Sequence, residues 1–174
     1  MPMSSVNWGS VAEWVSGIGA LAAALVALYL ARRSERIRVR AYCGFRIIIG
    51  TGVPKREVFC VSATNIGTRA TIVNNIGMRV GRIRRRYAVI NMMPTAISAG
   101  IPQQLVDGQS VSWHIPMDAE RTWVKELCSS LVRSKSDARS LRFTVHTNHG
   151  VDVTIVPEKP FVAALEKALS ASGS

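Results

Sequence analysis

The most apolar stretch of the chain is WVSGIGALAAALVALYLA, residues 14–31, which contains no charged side chain. As a helix with a rise of about 1.5 Å per residue it is roughly 27 Å long, close to the ~30 Å hydrocarbon core of a bilayer. A buried helix of a soluble protein normally keeps a polar stripe, whereas the polar side chains here are Ser16 and Tyr29. The stretch therefore predicts a membrane-spanning helix over residues 11–31.

The flanking charges predict the orientation of this helix. Residues 1–13 contain no Lys or Arg, which argues against a cleaved signal peptide, because such a peptide starts with a positively charged region. Residues 32–40, RRSERIRVR, contain five arginines. Since Lys and Arg resist translocation, we expect residues 1–10 to form a short extracytoplasmic N-terminus and the chain after the helix to lie in the cytoplasm.

Side chains at both ends of the helix are of the kinds that favour the bilayer interface. Aromatic rings with a polar atom favour the level of the lipid headgroups. Basic side chains after the helix attract anionic headgroups, and each contributes about 1 kcal/mol of binding free energy. The predicted anchor residues are Trp8, Trp14, Tyr29, Arg32, Arg33 and Arg36. Residues 32–40 are accordingly predicted to be a basic juxtamembrane segment.

Small residues repeat every four positions in the helix, at Gly19, Ala23 and Ala27. This spacing allows the backbones of two helices to approach closely, so these residues are a candidate helix-packing face and the chain a candidate homo-oligomer. The alternative is a slim helix that contacts lipid only, because an alanine-rich segment produces the same spacing by chance.

After residue 40 the pattern changes from helical to alternating, which is typical of strands. Residues 41–157 predict an antiparallel, immunoglobulin-like β-sandwich, with a small β-barrel as the alternative. Strands are expected at 37–49, 57–64, 70–80, 87–92, 110–115, 141–147 and 151–155, the last two as a hairpin, with a loop at 93–104. One inserted helix is predicted from Asp118, as its cap, to about Ser134. Residues 158–174 predict a short C-terminal helix, over about 160–170, and a frayed tail.

Several segments resemble small, uncharacterised single-pass membrane proteins of bacteria and prophages. Their anchor is similar to EWVSGIGALA at residues 13–22, and their β-sandwich is similar to VSATNIGTRATIVNNIG at 61–77. LVDGQSVSW at 105–113 and VHTNHGVDV at 145–153 resemble its later turns. The resemblance implies an anchor and a fold, with no associated activity. An excess of Arg over Lys agrees with a bacterial source, and the expected location is the inner membrane.

A second basic segment, RVGRIRRR at residues 79–86, contributes five positive charges to the net charge of +11. If residues 78–90 form one strand, then Arg82, Arg84 and Arg86 share a face at about 6.6 Å spacing. The candidate anionic-surface patch is Arg79, Arg82, Arg84, Arg85 and Arg86. It is either a solvated face that protects an edge strand, a surface for lipid headgroups, or a nucleic-acid contact. The last is the least expected, because only Tyr87 lies beside it as a stacking aromatic.

No motif predicts a reaction, so we expect no enzyme, no catalytic residue, no metal and no cofactor. The chain has three cysteines, an odd number that does not suggest a set of disulfide bonds. We therefore predict isolated thiols in a reducing compartment, at Cys43, Cys60 and Cys128. Cys128 could pair on paper with His114 or His146, but it falls on the apolar stripe of its predicted helix. His146, His149 and Asp152 are too few for a convincing metal site. The sequence contains no nucleophile elbow and no phosphate-binding loop.

These observations predict a membrane-tethered, non-enzymatic module that presents a cytoplasmic β-sandwich to an unidentified protein partner. Two alternatives are an oligomerising membrane effector or regulator, of the kind that prophages encode, and a membrane-linked nucleic-acid binder that uses Arg79–Arg86. The expected partners are the lipid bilayer with its anionic headgroups, a protein, and a second copy of the chain.

Overall fold

The computed structural model describes residues 11–34, 36–50, 53–92, 94–95 and 97–171. The chain divides into two compact units, which meet in sequence between Arg36 and Ile37. Trp8 and the predicted N-terminal segment 1–10 lie outside the described residues, as does the end of the predicted tail, 172–174.

The first unit contains one helix, α1 (Val11–Ser34). Its sequence is rich in Ala and Leu, which have high helix propensities, and contains no proline. A segment of 22 residues, Val11–Arg32, has a mean hydropathy of 2.0, and none of the side chains in its most apolar part is buried. The helix is therefore a candidate membrane span, in agreement with the predicted range 11–31. It continues into the predicted juxtamembrane segment, of which residues 32–34 are helical.

The described residues of the second unit, from Ile37 onward, form two antiparallel sheets and three helices. One sheet has the strand order β1 (Val39–Gly50), β2 (Val53–Asn65), β6 (Ser110–Pro116). The other has the order β4 (Arg86–Ile90), β3 (Thr71–Val80), β7 (Arg142–Thr147), β8 (Val153–Ile155), and β5 (Gln103–Leu105) also pairs with β3. The helices are α2 (Thr122–Ser130), α3 (Lys135–Ser140) and α4 (Lys159–Ala171). The predicted mainly β fold with a C-terminal helix is confirmed.

The alternating pattern positions one face of each sheet in a common core. Phe59, Val61 and Ala63 of β2, which the sequence predicts on one face, are all fully buried. In β7 the buried side chains are Phe143, Val145 and Thr147, and the residues that alternate with them are half-buried. The β7–β8 hairpin is confirmed, with Phe143 opposite Ile155.

The ring of Phe59 lies at the centre of this core. Its centroid is 5.1 Å from those of Phe143 in β7 and Trp123 in α2, and 4.4 Å from that of Phe161 in α4. Both sheets and two helices therefore meet around one aromatic side chain. Offset and tilted ring pairs of this kind add to the burial energy of the rings themselves.

The prediction of a single inserted helix is wrong, because two helices occupy this region. Helix α2 starts at Thr122, with Arg121 as its cap in the left-handed conformation (φ 52°), and Asp118 accepts a hydrogen bond from the Thr122 N–H at 2.7 Å. The helix ends where Leu131 and Val132 both turn into the core. Leu131 is the C-cap of α2 (φ −118°), and the N–H groups of Leu131 and Val132 both donate to the Leu127 carbonyl, at 2.9 and 2.8 Å, which closes the helix. Helix α3 then starts after a Ser134 cap.

Residues 78–90 do not form one continuous strand, so this possibility, raised for the arginine patch, is also wrong. Strand β3 ends at Val80, and β4 begins at Arg86. Gly81 has φ 89° and lies so close to the Arg84 carbonyl that a Cβ there would clash with it, so the chain reverses at this position. Arg82, Arg84 and Arg86 therefore do not share a strand face. Similarly, the predicted loop 93–104 contains the start of β5, and the domain starts before the predicted residue 41, with β1 at Val39.

Because Phe59 contacts both sheets and both covering helices, we expect Phe59→Ala to lower the free energy of unfolding by about 3–5 kcal/mol. The measurement is urea denaturation of a fragment comprising residues 37–174. Tyr42→Ala in the neighbouring strand is the control, because Tyr42 is 45 % exposed and its truncation should cost less than about 1 kcal/mol. Equal losses for the two variants would contradict the central position of Phe59.

Candidate functional site

The arginines of the segment 79–86 occupy three different positions in the fold. Arg79 lies near the end of β3, Arg86 starts β4, and Arg82, Arg84 and Arg85 lie in the turn between these strands. The N–H of Gly81 donates a hydrogen bond to the Ser140 hydroxyl at 2.9 Å, which attaches the turn to the end of α3. The turn is therefore held at a fixed position relative to α3.

Two further arginines, distant in sequence, join this group. Arg142 of β7 lies directly opposite Arg79 in the β3–β7 pairing, and Arg139 comes from α3. Together they enclose a cleft of about 710 Å³. The cleft is lined by Arg79, Gly81, Arg82, Arg85, Ser136, Arg139, Ser140 and Arg142. We call it the arginine cleft, and we refer to Arg79, Arg82, Arg85, Arg139 and Arg142 as its arginines.

Few carboxylates balance these charges. Arg139 pairs with Glu166 of α4, with Nε and Oε1 2.8 Å apart. Arg142 donates to the backbone carbonyls of Arg139 and Leu141, at 3.1 and 2.8 Å, which holds its side chain without neutralising it. Among the described residues, Arg79, Arg82 and Arg85 have no carboxylate partner. The cleft therefore carries a net positive charge and has the chemistry of an anion-binding surface.

Arg86 differs from the other arginines of the predicted patch. Its Nη2 atom lies 2.6 Å from Oδ2 of Asp137, in a partly buried ion pair that connects β4 to α3. The Asp137 carboxylate also accepts a hydrogen bond from the Arg133 N–H at 3.0 Å. Arg86 is thus neutralised within the fold, and its assignment to the anionic-surface patch is corrected to a role in holding the cleft together.

Desolvation by partial burial raises the pKa of Asp137, but the hydrogen bonds from Arg133 and Arg86 outweigh this effect. The net result is a pKa below the ordinary value for an aspartate. The folded state therefore stabilises the ionised carboxylate of Asp137. The ion pair that connects β4 to α3 thus depends on the protonation state of this residue.

The turn also exposes an apolar side chain. Ile83 is 96 % exposed, more than any other large apolar residue that the structure describes. Tyr87 and Val89, which point outward from β4, are 69 % and 67 % exposed. Tyr87 lies opposite Arg79, so an aromatic side chain and two arginines form one row across β4, β3 and β7.

Most of the predicted anchor residues fall in or directly after α1. Trp14 and Tyr29 are each 60 % exposed, and Arg32 lies in the last part of the helix. Gly19, Ala23 and Ala27 are exposed on one face of α1, as their spacing requires. Arg33 belongs to the same helix, and Arg36 follows it. Membrane contact and helix packing by these residues remain predictions.

The thiols and histidines lie apart from the arginine cleft. Burial raises the pKa of the Cys43 thiol to about 12, and burial also raises the pKa of Cys128. An activated nucleophile requires the opposite shift. Cys128 packs against the core, as its place on the apolar stripe of the helix predicts, and its thiol donates to the Leu165 carbonyl. His146 pairs with Asp152 at 3.0 Å, and the described residues contain no cluster of three potential metal ligands.

Neither a protein-family profile nor a curated protein matches this chain. Among solved structures, a protein assigned as ApaA from Bordetella pertussis has a TM-score of 0.32 and 13 % identity, over 71 % of this chain and 89 % of that one. A protein assigned as late embryogenesis abundant (LEA) has a TM-score of 0.29 and 15 % identity, over 86 % of this chain and 88 % of that one. At these scores the likeness assigns neither a family nor a function.

The lowered pKa of Asp137 predicts an acid-sensitive domain. A carboxylate with a lowered folded-state pKa contributes its stabilisation above its unfolded-state pKa and loses it as the pH falls through the folded-state value. We expect the urea midpoint of residues 37–174 to fall between about pH 5 and about pH 2, and Asp137→Asn to flatten part of this decline. The rest of the decline comes from Asp118 and Glu158, whose pKa values are also lowered, through hydrogen bonds from Thr122 and Arg46.

Asp107→Asn is the control for this measurement, because Asp107 is exposed and has no hydrogen-bond partner among the described residues. The control should follow the unmodified fragment at every pH. If Asp137→Asn also follows it, the ion pair with Arg86 does not stabilise the domain.

Proposed function

We propose that this chain is a membrane-tethered, non-enzymatic binding module, in which α1 is the anchor and the β domain binds a protein partner. The observation that carries this proposal is the division of the chain into an exposed apolar helix and a domain with its own complete core. The described core residues and those packed against them all lie between Val39 and Leu169, so none belongs to α1. An apolar helix that the fold does not use requires another apolar environment, which a bilayer supplies.

The proposed orientation places the domain in the cytoplasm, at the inner membrane of a bacterium. What supports it is the basic side chains that follow the span, at Arg32, Arg33 and Arg36. The three cysteines are unpaired, which is ordinary in a reducing compartment. Helix α1 ends at Ser34 and β1 begins at Val39, so the connecting segment is short and holds the domain at high local concentration near the bilayer.

The surface that we assign to the partner is the part of the arginine cleft formed by Arg79 and Arg142, with the adjoining outward row of β4. Tyr and Arg are the residue types enriched at the centres of protein interfaces. Arg79, Arg142 and Tyr87 bring both types together on one sheet face. The excess of unpaired positive charge favours an acidic protein surface as the partner, because complementary charge speeds encounter and excludes partners of the same sign.

We also propose that the domain is an immunoglobulin-like sandwich. The strand order supports this: β1-β2-β6 and β4-β3-β7-β8 correspond to strands A-B-E and C′-C-F-G of that architecture. Two departures stand beside it. Among the described residues the first sheet has no strand that corresponds to D, which lies beside strand E in a constant domain. The buried Trp113 lies on β6, whereas immunoglobulin domains carry theirs on the third strand.

The test compares the full-length protein with the fragment 37–174. After alkaline extraction of membranes, the full-length protein should stay in the membrane pellet and the fragment should be soluble. Both should capture the same protein from solubilised membranes, and Arg79→Gln/Arg142→Gln should lower that capture at least about tenfold, since each charged contact contributes about 1 kcal/mol or more. The charge-matched control is Arg40→Gln/Arg69→Gln, two exposed arginines outside the cleft.

Capture that is unchanged by the cleft variant would overturn the assignment of this surface. If the full-length protein is soluble after alkaline extraction, the proposal that α1 is a membrane anchor is wrong. Self-association of the full-length form alone, lost in Gly19→Leu/Ala23→Leu/Ala27→Leu, would instead favour the oligomerising membrane effector.

A further inference from the structure

The turn Arg82–Arg85 combines two surface properties that the proposed protein contact does not require. Its three arginines are exposed, and Ile83 between them is almost completely exposed, at 96 %. A single exposed apolar side chain is common on protein surfaces. An apolar side chain at the tip of a turn, with arginines on both sides, is the arrangement in which interfacial segments bind anionic membranes.

We propose that this turn binds the surface of an anionic bilayer, with Arg82, Arg84 and Arg85 on the lipid phosphates and Ile83 in the boundary between headgroups and acyl chains. The turn is a separate contact from the protein surface of Arg79 and Arg142. It deepens the proposed function, because it assigns the domain its own affinity for lipid in addition to the anchor.

The turn is rigid at both ends. Before it, the Gly81 N–H is bound to the Ser140 hydroxyl at 2.9 Å. After it, the Arg86 guanidinium is bound to Asp137 at 2.6 Å. Both partners belong to α3, so the tip projects from a fixed base and loses little conformational freedom when it binds.

The groups around the turn leave its positive charge intact. Strand β3 contributes Arg79, β7 contributes Arg142, and α3 contributes Arg139, which are all cationic. Of the nearby carboxylates, Asp137 is paired with Arg86 and Glu166 is paired with Arg139. No carboxylate lines the cleft itself among the described residues. An approaching surface of negative charge therefore meets an uncompensated positive field.

The apolar tip favours lipid over nucleic acid. A site for single-stranded nucleic acid combines basic side chains with aromatic rings on which bases stack. The residue at the tip here is aliphatic, and the adjacent aromatic residue, Tyr87, lies on β4 opposite Arg79 and outside the turn. An isoleucine side chain gains nothing from a phosphate backbone, whereas in a bilayer it leaves water.

The test is binding of the fragment 37–174 to vesicles, which removes any contribution from α1. Vesicles of phosphatidylcholine with phosphatidylglycerol should bind the fragment, more weakly as salt rises, and vesicles of phosphatidylcholine alone should not. Arg82→Gln/Arg84→Gln/Arg85→Gln should weaken binding roughly 100-fold, at about fivefold for each arginine. Ile83→Ser should weaken it about tenfold.

Two matched variants control for net charge and for loss of an exposed isoleucine. Lys55→Gln/Arg56→Gln/Arg69→Gln removes three exposed basic side chains from other parts of the domain, and Ile66→Ser removes a half-exposed isoleucine from another turn. Both should bind as the unmodified fragment does. Unchanged urea midpoints verify that all variants are folded.

A second measurement reports the depth of the tip directly. In Ile83→Trp, the fluorescence emission of the introduced tryptophan should shift to shorter wavelength when the fragment binds vesicles. The same emission should be quenched by lipids with brominated acyl chains. The signal from Trp113 and Trp123, measured in the unmodified fragment, is subtracted. A tryptophan that stays in water while the fragment is bound would overturn the insertion of the tip.

The same fragments are also titrated with a fluorescent single-stranded oligonucleotide. If the triple arginine variant loses oligonucleotide binding but keeps vesicle binding, the turn is a nucleic-acid contact and the proposal is wrong. If the charge-matched control loses as much vesicle binding as the triple arginine variant, the loss reflects net charge alone, and this result would also overturn the proposal. Because α1 is absent and Arg79 and Arg142 are intact, these results are independent of the tether and of the protein surface.

Discussion

The burial of Phe59 is the constraint on which the β domain depends. Strand β2 is the central strand of its sheet, so Phe59 is hydrogen-bonded into the structure from both sides while its ring reaches across to Phe143. Helices α2 and α4 cover the same ring through Trp123 and Phe161. The position of α2 in turn fixes α3, which follows it within five residues and carries the groups that hold the arginine turn. The position of the arginine turn thus depends on the core around Phe59, although the two do not lie together.

The acidic side chains explain why the cleft is positive. The chain has 11 acidic residues, and several of them bind arginines that hold elements together: Glu57 with Arg121, Asp137 with Arg86, and Glu158 with Arg46. Glu158 binds Arg46 through both carboxylate oxygens and fixes the start of α4 against β1. Carboxylates that bind arginines elsewhere in the fold are not available to the cleft, and the cleft therefore keeps its positive charge.

The sequence predicts those features that local pattern determines. The apolar run of α1, the inward faces of β2 and β7, and the turn before β8 all follow from spacing and turn residues. It fails where a tertiary contact overrides the pattern. The run from Arg82 to Arg86 alternates like a strand around Ile83, and only the positive φ of Gly81 and its approach to the Arg84 carbonyl turn it into a reversal. Helix α2 ends before the predicted Ser134, where the N–H groups of Leu131 and Val132 both bind the Leu127 carbonyl and both side chains are buried in the core. Arg139 and Arg142 could not be assigned to the cleft, because the register that brings Arg142 opposite Arg79 joins residues far apart in the chain.

The place of Phe161 in the core has a consequence for the order of events during synthesis. The core closes only when α4 is present, since Phe161 and Leu165 are fully buried. About 130 residues separate the end of the apolar run from Phe161, and at 5–20 residues per second the ribosome needs roughly 6–26 s to make them. During that interval α1 exists beside an incomplete domain that has not yet closed around Phe59. The residues of the apolar helix are therefore complete well before the domain can fold around Phe59.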